Sequence, residues 1–252
     1  MLILAPHITH KFNGDIWRLD IDEITSTLVL EIRNEKDKMV SFAAVSLPNG
    51  LLNFEGYTTP VRWLTGMETA FDGVLLLHHY QSASGPAHKG IIALNVATAG
   101  VLWSNYSLAF DHLTINGPVA YNTQMLPKKL SLLNIKTGEV MRPFNAADDG
   151  ELLKNIKVPR MLSPSQYHGE LPTQPYGSMI HYYEHNNFRI VSLHTQDAGV
   201  LNQRLYIIKG EDVIYEDLLN AGIQKLQPEA FVLHKNWLIC LKNKNELLVF
   251  SL

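Results

Sequence analysis

Apolar residues recur along the chain in short runs closed by turns, and this spacing predicts β-strands rather than helices. Residues 27–33, 73–80, 117–122 and 188–194 are runs of this kind, and each precedes a two-stranded hairpin. The hairpins lie at residues 45–54, 94–103, 133–142 and 206–215. Their turns hold Pro, Asn, Gly, Thr or Lys; most of these tolerate positive φ or bond to the local backbone. A fourth strand in each unit is weaker, with residues 177–183 as its clearest example. The best helix candidates are 149–155 and 216–220, both short.

The hairpins repeat one another. Leu94-Asn-Val-Ala-Thr-Ala-Gly-Val-Leu-Trp103 aligns without a gap on Leu133-Asn-Ile-Lys-Thr-Gly-Glu-Val-Met-Arg142. Residues 45–54 and 206–215 follow the same plan, and Phe54, Trp103 and Tyr215 end three of the four units. The two ends of the chain complement each other: 236–242 and 246–252 form a strand and half a hairpin, and 14–20 supplies a missing half. Pairing them completes a fifth unit and removes a sheet edge. The expectation is an all-β, single-domain β-propeller over residues 1–252, with five four-stranded blades closed by the N- and C-terminal strands. Six blades is the alternative, if the irregular stretch hides another.

The Leu-Asn-x-x-Thr-Gly-Glu-Val pattern, with Ala93-Leu94-Asn95 and Thr98 through Trp103, resembles the repeat of quinoprotein-like (PQQ-type) β-propellers. The match is at repeat level, stronger in two units and weaker in four. Asn stands where that repeat has Asp, and Arg142 where it has Trp. Such repeats serve scaffolds and enzymes alike, so the resemblance implies architecture and not activity. The quinone enzymes of this class use a vicinal Cys pair. Cys240 is the single cysteine, so no bound quinone, and no other cofactor, is expected.

Composition narrows the class further. The 252 residues are 46% hydrophobic, enough for a full core. The net charge of −3 leaves no basic footprint for nucleic acid. One cysteine rules out an intramolecular disulfide and a Cys-rich zinc site; in its apolar strand it reads as a buried thiol. The apolar runs are too short to span a bilayer as helices, and the opening residues lack a signal-peptide pattern. A cytoplasmic protein without membrane contact is expected.

Candidate chemistry is sparse. His181-Tyr-Tyr-Glu-His185 has the H-x-x-E-H string of inverted zinc peptidases. On the strand expected here, the two histidines share a face and Glu184 points away, so the motif fails. His78 and His79 are adjacent on a strand and cannot chelate one ion directly; each reads as a separate surface or hydrogen-bonded histidine. No histidine triplet has ligand spacing, and no metal is expected. Asp22, Asp72 and Asp111 lie near blade starts, where a glycosidase-like propeller places carboxylates, but turn formation explains them better. Residues 85–90 read as a flexible loop.

Residues 143–175 are a Pro-rich insertion with Pro143, Pro159, Pro164, Pro172 and Pro175. Prolines deny ladder donors, so the segment is expected across one face and outside the blades. Arg160, Tyr167 and His168 are its expected exposed contact groups, since Tyr and Arg anchor many interfaces. The functional expectation is a non-catalytic binding or scaffold propeller for a protein or peptide partner. The alternative is a glycosidase-like hydrolase at the channel mouth.

Overall fold

The computed structural model describes residues 3–227 and 230–252, so Met1 and Leu2 of the opening run lie outside the described residues. Strand β1 is Ile8–Lys11. Three consecutive sheets follow: β2 (Asp15–Asp22) to β5 (Leu52–Tyr57), β6 (Thr65–Phe71) to β9 (Val101–Asn105), and β10 (Leu108–Thr114) to β13 (Val140–Pro143). Within them, β3 is Thr27–Asn34, β4 Met39–Ser46, β7 Val74–Ser82, β8 Gly85–Asn95, β11 Gly117–Asn122 and β12 Leu130–Leu133. Next come two short strands, β14 (Ile156–Lys157) and β15 (Arg160–Leu162), with a 3-10 turn at Pro164–Gln166. The remainder is β16 (Ile180–His185), β17 (Phe188–Asp197), β18 (Val200–Lys209), β19 (Asp212–Ile223), β20 (Phe231–His234), β21 (Trp237–Lys242) and β22 (Glu246–Ser251). The protein is all-β, with five antiparallel, propeller-like sheets. Among the described residues no helix is long and apolar enough to cross a membrane.

Two compact units are present: residues 13–154, and residues 1–12 with 155–252. In the first, every sheet is a meander of four successive strands. The β6–β9 sheet is buried on both sides. Leu75 and Leu77 pack with Val29, Phe42 and Ala44 of one neighbouring sheet. Val74 and Leu76 pack with Ala120 and Leu133 of the other. Burial on both sides explains the unbroken Val-Leu-Leu-Leu run, since successive side chains enter opposite cores.

The repeated Leu-Asn motif has a structural meaning in this unit. Asn95 Oδ1 accepts from the Ala97 N–H at 2.8 Å, and Asn134 Oδ1 from the Lys136 N–H at 2.9 Å, so each asparagine closes its own turn. Trp103 donates from Nε1 to the Ile135 carbonyl at 2.7 Å. Its ring covers Gly138, where φ is +74° and a Cβ would lie 2.6 Å from the indole. The tryptophan of one repeat thus requires the glycine of the next.

The second unit draws its sheets from separated stretches. β20, β21 and β22 form a meander, β1 pairs with β22 (Ile8 opposite Val249, Lys11 opposite Glu246), and β14 pairs with β20. β15 pairs with β16 at the edge of the β16–β19 sheet. Ile190, Leu205 and Ile207 pack with Leu238, Leu248 and Phe250 between the two sheets.

Four expectations need correcting. The first and last strands do pair, but the N-terminal partner is 8–11 and not 14–20, which instead falls largely within β2, at the edge of the next sheet. Residues 149–155 form a loop bridged at Thr114 and Glu151, and 216–220 lie within β19, where pairing with β18 overrides a helical preference. Residues 85–90 are the start of β8. The Pro-rich insertion is not confined to a face: β14 and β15 lie between its prolines and add edge strands, which prolines tolerate.

Candidate functional site

The insertion builds a groove in the second unit. Gly169, Glu170, Leu171 and Pro172 wall it from one side, with Arg189, Ile208, Glu211 and Val213 opposite, around about 620 Å³. Arg189 ties the walls together. Its guanidinium donates to the His168 carbonyl at 3.3 Å and to the Gly210 carbonyl, and it lies 5.9 Å from the Tyr167 ring centroid. Gly169 has φ +136°, and a Cβ there would come within 2.6 Å of Arg189 Nη1, so the close approach needs glycine. With Arg189 engaged by carbonyls, the exposed charges of the groove are Glu170 and Glu211, over apolar Leu171, Ile208 and Val213.

The three residues expected to be contacts separate here. Arg160 and His168 are exposed. Tyr167 is not: it is 7% exposed and belongs to the core with Ile180, Val191, Leu193 and Tyr206. It meets Tyr182 edge-on at 5.6 Å. Burial pushes the Tyr167 phenol up despite the nearby Arg189. Burial and a hydrogen bond to Glu184 Oε2, at 3.0 Å, push Tyr182 up to about 12.

The other sequence candidates are structural. Asp22 is fully buried and accepts from the Ile24, Asp72 and Gly73 amides and from Thr25 Oγ1, at 2.6–3.1 Å. Asp72 pairs with Lys136 at 2.9 Å, and Asp111 with Lys128 and His112. None is a spare acid or base. His181 and Glu184 lie on β16, as a strand reading of the peptidase string requires, and His185 meets Asn236 at 3.1 Å. Cys240 is buried, and burial raises its thiol pKa, so it is no nucleophile.

The first unit holds a cluster that spacing did not reveal. Glu68 on β6, His78 on β7 and His88 on β8 bring one ligand atom each within 4.8 Å of the others. Two register shifts make this possible. Glu68 is the extra residue between Met67 and Thr69, and an additional residue on β8 accompanies the Leu77–His79 step, where Gly90 has φ +72°. Arg18 donates to the Met67 and Glu68 carbonyls, and Glu31 accepts from the Met67 amide at 2.8 Å, which pins the first bulge. Gly66 faces His78 across the ladder, and a Cβ there would lie 2.7 Å from the imidazole. Glycine therefore leaves room for the diagonal contacts.

Within the cluster, Glu68 Oε1 lies 2.8 Å from His88 Nδ1 and 3.0 Å from His78 Nδ1. The two imidazoles stack at 3.5 Å between centroids, and Tyr80 meets both edge-on. Burial would raise the Glu68 carboxyl, but the two histidines outweigh it and hold its pKa below the ordinary value. His79 points the other way, to Thr65 Oγ1 at 3.1 Å and the Tyr106 ring. The two histidines are thus separate, as adjacency on a strand dictates, but both are buried and neither is a surface residue.

The search of curated proteins returns no match. Residues 21–103 match a family described as "Domain of unknown function (DUF4905)". That segment lies in the first unit and contains Glu68, His78 and His88; this third of the chain is similar to the family.

Proposed function

We propose that this protein is a non-catalytic binding propeller that takes an extended peptide segment of a protein partner. The groove between residues 169–172 and Arg189, Ile208, Glu211 and Val213 carries the reading. Its volume is within the ordinary range for a ligand pocket. Its apolar floor and two exposed carboxylates suit a segment that alternates an apolar side chain with Lys or Arg, because electrostatic complementarity steers encounter and fixes register. Asp22, Asp72 and Asp111 are each engaged in a turn or an ion pair, which favours the binding reading over a glycosidase-like one.

An array of peptides with and without the apolar–basic alternation tests this. The full chain should retain the alternating peptides with micromolar affinity, and E170Q/E211Q should weaken retention about tenfold, equivalent to about 1.4 kcal/mol. Equal retention of acidic and basic peptides, or no change in the double variant, would overturn it.

A further inference from the structure

We infer that Glu68, His78 and His88 form a binding site for a divalent transition ion of the zinc class. The donor set is two imidazole nitrogens and one carboxylate oxygen, within 4.8 Å of one another. Hard cations such as calcium and magnesium favour all-oxygen sets. Imidazole with carboxylate suits zinc and its neighbours, and three protein ligands leave a fourth position for water or another ligand.

A second observation points to a missing ligand. His78 is 1% exposed, and neither of its ring nitrogens has a hydrogen bond among the described residues. Its Nδ1 stands 3.0 Å from Glu68 Oε1, but off the direction of a hydrogen bond. A buried polar group left in this way is destabilising, so it calls for a partner. A cation between His78, His88 and Glu68 supplies one.

The geometry is close to what an ion needs. Metal–ligand distances of about 2.0–2.1 Å in a tetrahedron separate the ligand atoms by about 3.3 Å. The existing separations from Glu68 Oε1, 2.8 and 3.0 Å, widen to that value with shifts of a few tenths of an ångström. The parallel stack must also open, because the lone pairs of two parallel rings do not converge. His88 is the ring able to tilt, since its side chain is 32% exposed, and the same exposure gives an ion its route in. Glu68 and His78 stay fixed, one by the bulge that Arg18 and Glu31 hold, the other in the space above Gly66. The site is then half rigid and half adaptable. The bound ion ties β6, β7 and β8 together at the base of the long β7–β8 hairpin.

The test uses the full chain without an affinity tag, dialysed against a chelator. Titration calorimetry with Zn²⁺ should give one equivalent, and Co²⁺ should give the visible bands of a four-coordinate complex with nitrogen and oxygen donors. H88Q alters a partly exposed residue and should fold normally by circular dichroism, yet weaken Zn²⁺ binding by at least about tenfold, as even outer-sphere changes do at such sites. E68Q should do the same, and H112Q, at a surface pair elsewhere, should change nothing. No uptake tighter than ~1 mM, or the same affinity in H88Q as in the parent protein, would overturn the assignment and leave the trio a structural contact between strands.

Discussion

The two compact units reach similar sheets by different routes. In residues 13–154 each sheet is four successive strands, so every ladder joins neighbours in sequence. In residues 1–12 with 155–252, one sheet joins β1 to β22, more than 230 residues away in sequence, and β14 to β20. The first arrangement is local and can assemble hairpin by hairpin. The second closes large loops before its edge strands gain any contact, and that closure costs entropy. Distant edge strands should therefore be the vulnerable parts of the second unit, and buried turn carboxylates those of the first.

The largest test removes the distant strand. Deleting residues 1–12 takes away Ile8 and Phe12, which are 5% and 3% exposed, and uncovers the edge of β22. Burial of two such side chains is worth about 4 kcal/mol, so the urea midpoint should fall markedly. An unchanged midpoint would show that β1 adds nothing and break the contrast.

Next is the buried carboxylate of the local unit. D22A strands the Ile24, Asp72 and Gly73 amides and should cost about 3 kcal/mol. D22N, which keeps an oxygen acceptor, should cost less. Equal losses would mean that packing, not hydrogen bonding, holds that turn.

A smaller effect divides the insertion. Y167A should cost about 2 kcal/mol, because the ring is buried against Ile180 and Tyr206, whereas R160A and H168A should stay within about 0.5 kcal/mol. Thermal melts of the three variants check this. A silent Y167A would return the tyrosine to the surface role that the sequence suggested.

The smallest effect is one of pH, and it compares one histidine from each unit. Burial lowers the pKa of His79 in the first unit and, more than the nearby His181, that of His194 in the second. Unfolding lets each imidazole take a proton more readily, so the unfolded state binds more protons below about pH 6.5. Stability from these groups is full above that value, declines as pH falls toward the depressed native values, and is flat below them. H79Q and H194Q should each flatten the slope of denaturation midpoint against pH between about 6.5 and 5. A slope unchanged in both would place the acid sensitivity elsewhere.

Much of this architecture is legible in the residues. The runs at 27–33, 73–80, 117–122 and 188–194 are β3, β7, β11 and β17, because continuous apolar stretches mark strands buried on both faces. The Leu-Asn turns mark hairpins whose chemistry is local, whereas Trp103 bonds across to the turn of the next hairpin. The groove was legible only as a Pro-rich anomaly. Tyr167 looked like a contact residue because aromatic character alone does not distinguish an anchor on a surface from one in a core. Glu68, His78 and His88 stand ten residues apart, a spacing that puts one on each of three successive strands of a meander. Simple alternation still misplaces Glu68, because the two bulges set which way the side chains point.

The sequence by itself determined that the chain is all-β, where its hairpins turn and which strands are buried on both sides, because periodicity and turn chemistry act over a few residues. Tertiary structure alone decided that 8–11 rather than 14–20 meets the last strand and that the insertion lends edge strands to two sheets. It also decided that two histidines on separate strands converge on one carboxylate oxygen of a third strand. Each of these depends on register between distant segments, and register is set by the shared core rather than by any local preference.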